Sequence, residues 1–217
     1  HEAKHAENYR INSFHLGEGS PKQKFRANMD AIYTLKTLEN QHRDATPEEQ
    51  ETLANYVGWG GLADAFDAEK TAWAGEYKEL KAALTEEEYA AARASTLNAH
   101  YTSPTVIRAI YEALDSMGFE KGNILEPSMG VGNFFGMLPD SMLGSRLYGV
   151  ELDSITGRIA QKLYPQAEIK VAGFETTDRR DFYDLAVGNV PFGNYRVSDK
   201  PYDKLGFSIH NYFFAKA

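Results

Sequence analysis

The chain has 217 residues, 42% of them hydrophobic, and a formal net charge of −8. That size and apolar content fit one globular domain with an appendage and exclude a disordered segment. There is no cysteine, which excludes disulfides and thiolate metal sites; no apolar run approaches the ~20 residues of a membrane span, and no signal peptide opens the chain. A cytoplasmic origin with no membrane partner is expected. Because the first residue is His1 and not methionine, a piece of a longer protein is expected as well.

The acidity is uneven. Residues 48–94 hold 11 acids and 4 bases, against 14 and 12 in residues 95–217. Negative charge argues mildly against a nucleic-acid partner, since phosphates call for Lys and Arg, but most of it belongs to one helical segment.

In chain order, His1 to Gly19 shows no period and reads as an extended arm crossing the surface. Pro21 then opens a long amphipathic helix with Phe25, Met29, Ile32, Leu35 and Leu38 on one face. Lys22, Lys24 and Arg26 fit either phosphate contacts or an ordinary solvated helix start. Thr46-Pro47-Glu48-Glu49 has the capping-box pattern, and its helix is expected to run through Leu53 to about Val57. Gly58-Trp59-Gly60-Gly61 must end it, because glycines are costly in a helix. Trp59 there either stacks on a base or cofactor or plugs a gap between helices. Leu80 and Leu84 belong to a further helix, and a second capping box, Thr85-Glu86-Glu87-Glu88, starts one more. Residues 1–97 are thus an arm and a helical region of structural character. Residues 98–217 form a second part, joined through Ser95 to His100.

Tyr101-Thr102-Ser103-Pro104 precedes a helix with Val106, Ile107, Ile110, Tyr111 and Leu114 facing inward. Asn123 to Glu126 reads as a strand that runs through Pro127 into Gly130-Val131-Gly132 and an apolar helix start at Asn133-Phe134-Phe135. Glycines there let the backbone approach a ligand, and a helix amino terminus adds orphan N–H donors. Arg146 to Glu151 is a second strand ending in an acid, at the spacing of a βαβ unit whose acid binds ribose hydroxyls. The third glycine of a dinucleotide loop is absent, since Phe135 stands in its place. Asp153 to Leu163 reads as a helix and Ala167 to Val171 as a third strand, with Gly173-Phe174-Glu175 just past it.

Leu185 to Val187, flanked by Asp184 and Gly188, has the pattern of a buried parallel strand. At its carboxyl end, where open α/β sheets bind ligands, stands Asn189-Val190-Pro191-Phe192. An amide side chain offers donor and acceptor to the edge of a planar amide or base; Pro191 stiffens the turn, and Phe192 supplies a stacking face. The alternative is an ordinary Asn/Pro/Gly turn. Tyr195 to Lys204 is polar and mobile in appearance, and Phe207, Ile209, Tyr212, Phe213 and Phe214 start an apolar helix. The six histidines lack metal-ligand spacing, His100 reads as structural, and no metal is expected.

These ordered stretches resemble the S-adenosylmethionine-dependent amino-methyltransferases, specifically the adenine-N6 DNA methyltransferases. That family pairs an acid-Pro-x-x-Gly-x-Gly-x-Phe loop with an acid ending strand two and Asn-Pro-Pro-Tyr/Phe ending strand four. The likeness covers residues 98–217. Three stretches look more particularly like the methylase region of the very large helicase–methylase proteins of bacterial conjugative elements. They are His100 to Pro104, Gly188 to Gly193, and Tyr56-Val57-Gly58-Trp59-Gly60-Gly61-Leu62.

The resemblance implies an α/β fold: a Rossmann-like S-adenosylmethionine methyltransferase sheet, truncated after strand four, behind an N-terminal helical region. It implies that Tyr101 and Thr102 contact the methionine end of the cofactor and that Glu126 and Pro127 lie near its amino-acid end. Gly130 and Gly132 would pass beneath it and Glu151 would bind its ribose, with Phe134, Leu152 and Phe174 lining the same site. Glu175 would meet the adenine amino group, with Asp178 in reserve. A target adenine, flipped out and stacked on Phe192, would give its amino hydrogens to the Asn189 side-chain oxygen and the Val190 carbonyl. Val190 departs from the usual proline; its carbonyl is retained and its stiffness is not. Expected partners are DNA, the rest of a larger polypeptide with helicase domains, and a second copy through the sheet's unpaired edge. Two alternatives stay open: methylation of a protein glutamine amide, and a non-catalytic module that positions a helicase on DNA.

Overall fold

A computed structural model describes residues 6–12, 17–97 and 102–217. Tyr101 and His100 lie outside the described residues.

Pro21 at the first helical position, with a reciprocal capping box between Ser20 and Gln23, starts helix α1 (Pro21–Asn40). All five apolar residues of its stripe are buried. The Thr46–Glu49 box starts α2 (Pro47–Ala54) and the Thr85–Glu88 box starts α4 (Glu86–Ser95), with α3 (Ala74–Ala83) between them. Helix α2 stops three residues before Val57, because Asn55 caps it and Gly58 takes a positive φ of 75°. Trp59 plugs a gap, as the blander reading has it: it is 2% exposed and meets Phe25, Tyr56 and Phe66 edge-on. Asn28, wholly buried, pins this loop by donating to the Gly58 carbonyl and accepting from Val57 N.

Helix α5 (Pro104–Ser116), capped by Ser103, leads to strand β1 (Asn123–Glu126) and the one-turn helix α6 (Asn133–Gly136). Strand β2 (Arg146–Glu151), helix α7 (Ser154–Leu163), strand β3 (Glu168–Val171), strand β4 (Leu185–Ala186) and helix α8 (Ile209–Lys216) follow. Among the described residues the four strands make one parallel sheet in the order β3-β2-β1-β4. Side chains alternate between its faces, as strand geometry requires. Ile124 and Leu147 join the cluster that holds the α1, α2 and α7 residues Met29, Leu53 and Ile159. Leu125, Tyr148 and Val150 turn the other way, onto Phe174 and the α8 residues Ile209, Tyr212 and Phe213. Both faces of the central strands β1 and β2 are therefore covered, which is the requirement for parallel strands.

The helical region is fastened to the sheet by charge as well as by apolar burial. Arg158 on α7 forks onto Glu39 of α1 with two bonds of 2.7 Å and reaches Glu88 of α4 at 2.8 Å.

Several sequence expectations need correction. Val106 (49% exposed) and Phe214 (73%) face outward, because the buried stripes run through Ile107 and Tyr111 and through Ile209, Tyr212 and Phe213. Strand β4 has only two residues, and Ala186 is exposed while Val187 is buried. The arm is anchored as well: Tyr9 is buried, its N–H bonds the Leu163 carbonyl at 2.8 Å, and Ile11 N bonds Gly136 O at 2.9 Å. The segment Tyr195 to Lys204, polar in sequence, is tied down through the buried Asp199.

Candidate active site

The carboxyl ends of β1 and β2 bring two acids to one place. Strand register sets Glu126 beside Gly149, two residues before Glu151. Because Gly149 has no side chain, Met129 can cross over β2; a Cβ there would lie 2.2 Å from the Met129 sulfur. Met129 N then bonds the Val150 carbonyl at 3.0 Å, and Gly130 N bonds Glu151 Oε2 at 2.8 Å. Glu151 Oε1 accepts from Asp153 N at 2.8 Å, which fixes the carboxylate above the start of α7. Gly130 has a φ of 56°, and a Cβ added to it would meet none of the described residues within 4 Å. The loop thus presents bare backbone to open space.

Glu126 is the unusual group. It is 2% exposed, and among the described residues its Oε2 has no hydrogen-bond partner. Burial, and then the charge of Glu151, pushes its carboxyl well above the ordinary value. Burial also raises Glu151, against the lowering effect of the Asp153 and Gly130 N–H groups. An unpaired carboxylate oxygen in such surroundings is costly until a donor arrives. Sequence reading missed the neighbours of Glu126. Burial and then its charge hold the Tyr111 and Tyr164 hydroxyls in their neutral form, and no spacing pattern links these three residues.

The β4 turn approaches the same acid. A Cβ on Gly188 would lie 3.2 Å from Glu126 Cγ, so Asn189 begins one residue from the acid's stem. Asn189, Val190 and Pro191 are half-buried, with Val190 packed on the α8 cluster. Phe192 is 61% exposed, its ring 5.8 Å from that of His210, tilted by 33°. His210 is a second group that sequence reading missed.

The other sequence candidates divide. Thr102 is half-buried before the Ser103 cap, Pro127 is buried beside Glu126, and Leu152 stands 75% exposed beside Glu151. Gly132 and Phe134 face the core. A Cβ on Gly132 would be 2.5 Å from the Tyr164 ring, and the Phe134 carbonyl accepts from Tyr111 Oη at 2.7 Å. Phe174 stacks on Phe213 at 5.0 Å, and Glu175 folds its carboxylate back over Gly173. Helix α6, where sequence placed orphan N–H donors, is a single turn of four residues. Among the described residues no group of three or more His, Cys, Asp or Glu could hold a metal ion, and no helix is long and apolar enough to cross a membrane. A cleft of about 650 Å³ in the helical region, floored by Phe66 and Tyr89, lies apart from these strand ends. Convergent chemistry and not cavity size singles out the site.

No family model matches the chain. It is 29% identical over 192 residues to "Defense against restriction protein B" of Escherichia phage P1, which is 86% of this chain and 7% of that protein. It is 34% identical over 92 residues to "Type II methyltransferase M.CvrRI" of Paramecium bursaria Chlorella virus XZ-6E, which is 42% of this chain and 24% of that protein. The chain therefore spans a small part of the length of either curated relative. A solved structure from Listeria monocytogenes, assigned to the class I S-adenosylmethionine-dependent methyltransferases, is similar with a TM-score of 0.43 and 12% identity. The match covers 90% of this chain and 68% of that one.

Proposed function

We propose that the chain is the cofactor-binding and catalytic part of an S-adenosylmethionine-dependent DNA methyltransferase acting on the exocyclic amino group of adenine. The observation that carries the reading is the buried, unpaired Oε2 of Glu126, set between the open Gly130 loop and the turn that begins at Asn189. The residues fit such a cofactor. The Glu126 carboxylate calls for a cationic donor such as an α-ammonium group, and the remaining lone pairs of Glu151 suit ribose hydroxyls. When bound, S-adenosylmethionine supplies an electrophilic methyl group. Asn189 accepts one amino hydrogen of the target at its side-chain oxygen, and the Val190 carbonyl accepts the other. Phe192 gives the base a stacking face. No residue here needs to act as a strong base. The relative whose name includes a type II methyltransferase supports the assignment.

Calorimetric titration with S-adenosylmethionine tests it, using the wild-type chain, Gly130→Asp and Asn189→Ala. Binding abolished by Gly130→Asp and retained in Asn189→Ala is expected, with methyl incorporation into DNA lost in both variants. Methyl incorporation into protein and not DNA would sink the DNA reading. No cofactor binding by a folded wild-type chain would sink the methyltransferase reading itself.

A further inference from the structure

The segment after the Asn189 turn carries a pattern that the proposed chemistry does not use. Arg196, Lys200 and Lys204 recur every fourth residue, and all three are exposed. Aromatic rings lie among them: Tyr195 is 47% exposed, and Tyr202 and Phe207 are half-buried. Two acids share the segment, but both are engaged. Asp199 is paired with Lys216 at 2.5 Å and accepts from Tyr212 Oη at 2.6 Å; the side chains of the ion pair are 8% and 7% exposed. Asp203 accepts from Asp199 N at 2.8 Å and from Ser198 Oγ at 3.2 Å. In a chain of net charge −8, the segment presents three outward cations and rings against one exposed acid, Asp203.

The strip is built onto the site. Lys216 also donates to the Glu175 carbonyl at 3.3 Å, so one buried ammonium joins the segment to the turn after β3. A buried ion pair is costly to assemble and is retained where it fixes a register. Between Arg196, Tyr202, Asp203, Phe207 and Tyr212 opens a cleft of about 240 Å³. That is below the ~300–1,000 Å³ of sites that enclose a whole small ligand, and it suits one unit of a polymer.

We propose that residues 195–207 form a subsite for the nucleic-acid strand flanking the target base, with the three cations on its phosphates and Tyr202 and Phe207 against a neighbouring base. The proposal rests on the reading of the Asn189 turn as the place where the target is held. Cations tracking a backbone, with rings to stack on, are the chemistry of single-strand binding.

The test is fluorescence anisotropy of a single-stranded oligodeoxynucleotide with the chain saturated in S-adenosylhomocysteine, across a salt series. In Arg196→Gln/Lys200→Gln/Lys204→Gln the slope of log K against log salt should become shallower by about 2, from ~0.7 for each of three contacts. Tyr202→Leu should weaken binding roughly tenfold with the slope unchanged. S-adenosylhomocysteine affinity should stay at the wild-type value in both, which reports an intact fold. An unchanged slope in the triple variant, with DNA methylation intact, would overturn the subsite and leave the proposed function standing. A wild-type chain that takes S-adenosylhomocysteine and binds no strand would overturn both.

Discussion

Gly188 lies flat against the stem of Glu126, so that a methyl group on it would stand 3.2 Å from Glu126 Cγ. This contact ties the turn that starts at Asn189 to the acid of the glycine loop. Gly188→Ala should force one of them to move by a few tenths of an ångström while the core stays intact. Gly188 also has a φ of 154°, a conformation only glycine adopts freely, so the expected outcome is a fall in melting temperature of roughly 5 °C and cofactor affinity lowered roughly tenfold, read by calorimetry.

Glu126→Gln should separate stability from binding. The folded chain raises the Glu126 carboxyl above its unfolded value of 4.5. The folded state therefore holds the proton more tightly than the unfolded state, and stability is full below that value and declines as pH rises above it. Glutamine removes the decline. Urea unfolding at pH 8 should show a gain that shrinks toward pH 4, together with weakened cofactor binding.

Gly132→Ala probes the core and not the ligand. Its φ is 83°, and the new Cβ would press on the buried Tyr164 ring at 2.5 Å. A loss of at least about 2 kcal/mol is expected, visible as a fall in melting temperature of roughly 5 °C. A variant as stable as wild type would show that the ring can step aside.

Arg158→Met should loosen the helical region from the sheet. The change leaves Glu39 and Glu88 without their shared partner, and the Glu88 side chain is only 10% exposed. The expected cost is about 2 kcal/mol in chemical denaturation. Lys36, 3.2 Å from Glu88, retains part of the pairing and keeps the loss from being larger.

Much of this was legible in the residues. Two helix starts, at Thr46 and Thr85, were legible as capping boxes, because a Thr followed three residues later by Glu satisfies two backbone groups locally. The parallel strands were legible as apolar runs ending in Glu126, Glu151 and the Asn189 turn, since a strand covered on both faces must be apolar throughout. Other features depend on partners distant in sequence. Nothing in the local pattern distinguishes Val106 from Ile107; the direction of the neighbouring core decides which is buried. Gly132 looks like a ligand-cradling glycine, yet Tyr164 occupies the space beside it. Asp199 and Lys216 sit in unremarkable polar positions, and only the fold encloses them together.

The anchored arm bears on the order in which the molecule assembles. Tyr9 and Ile11 bond to the last turn of α7 and to the end of α6, and Asn8 accepts from Gln166, 158 residues away in sequence. The arm therefore docks only onto elements that follow it by more than 120 residues. Closing so long a loop is slow, and until it closes Tyr164 lacks part of its cover. Refolding should show arm docking as a late phase, after the sheet has formed.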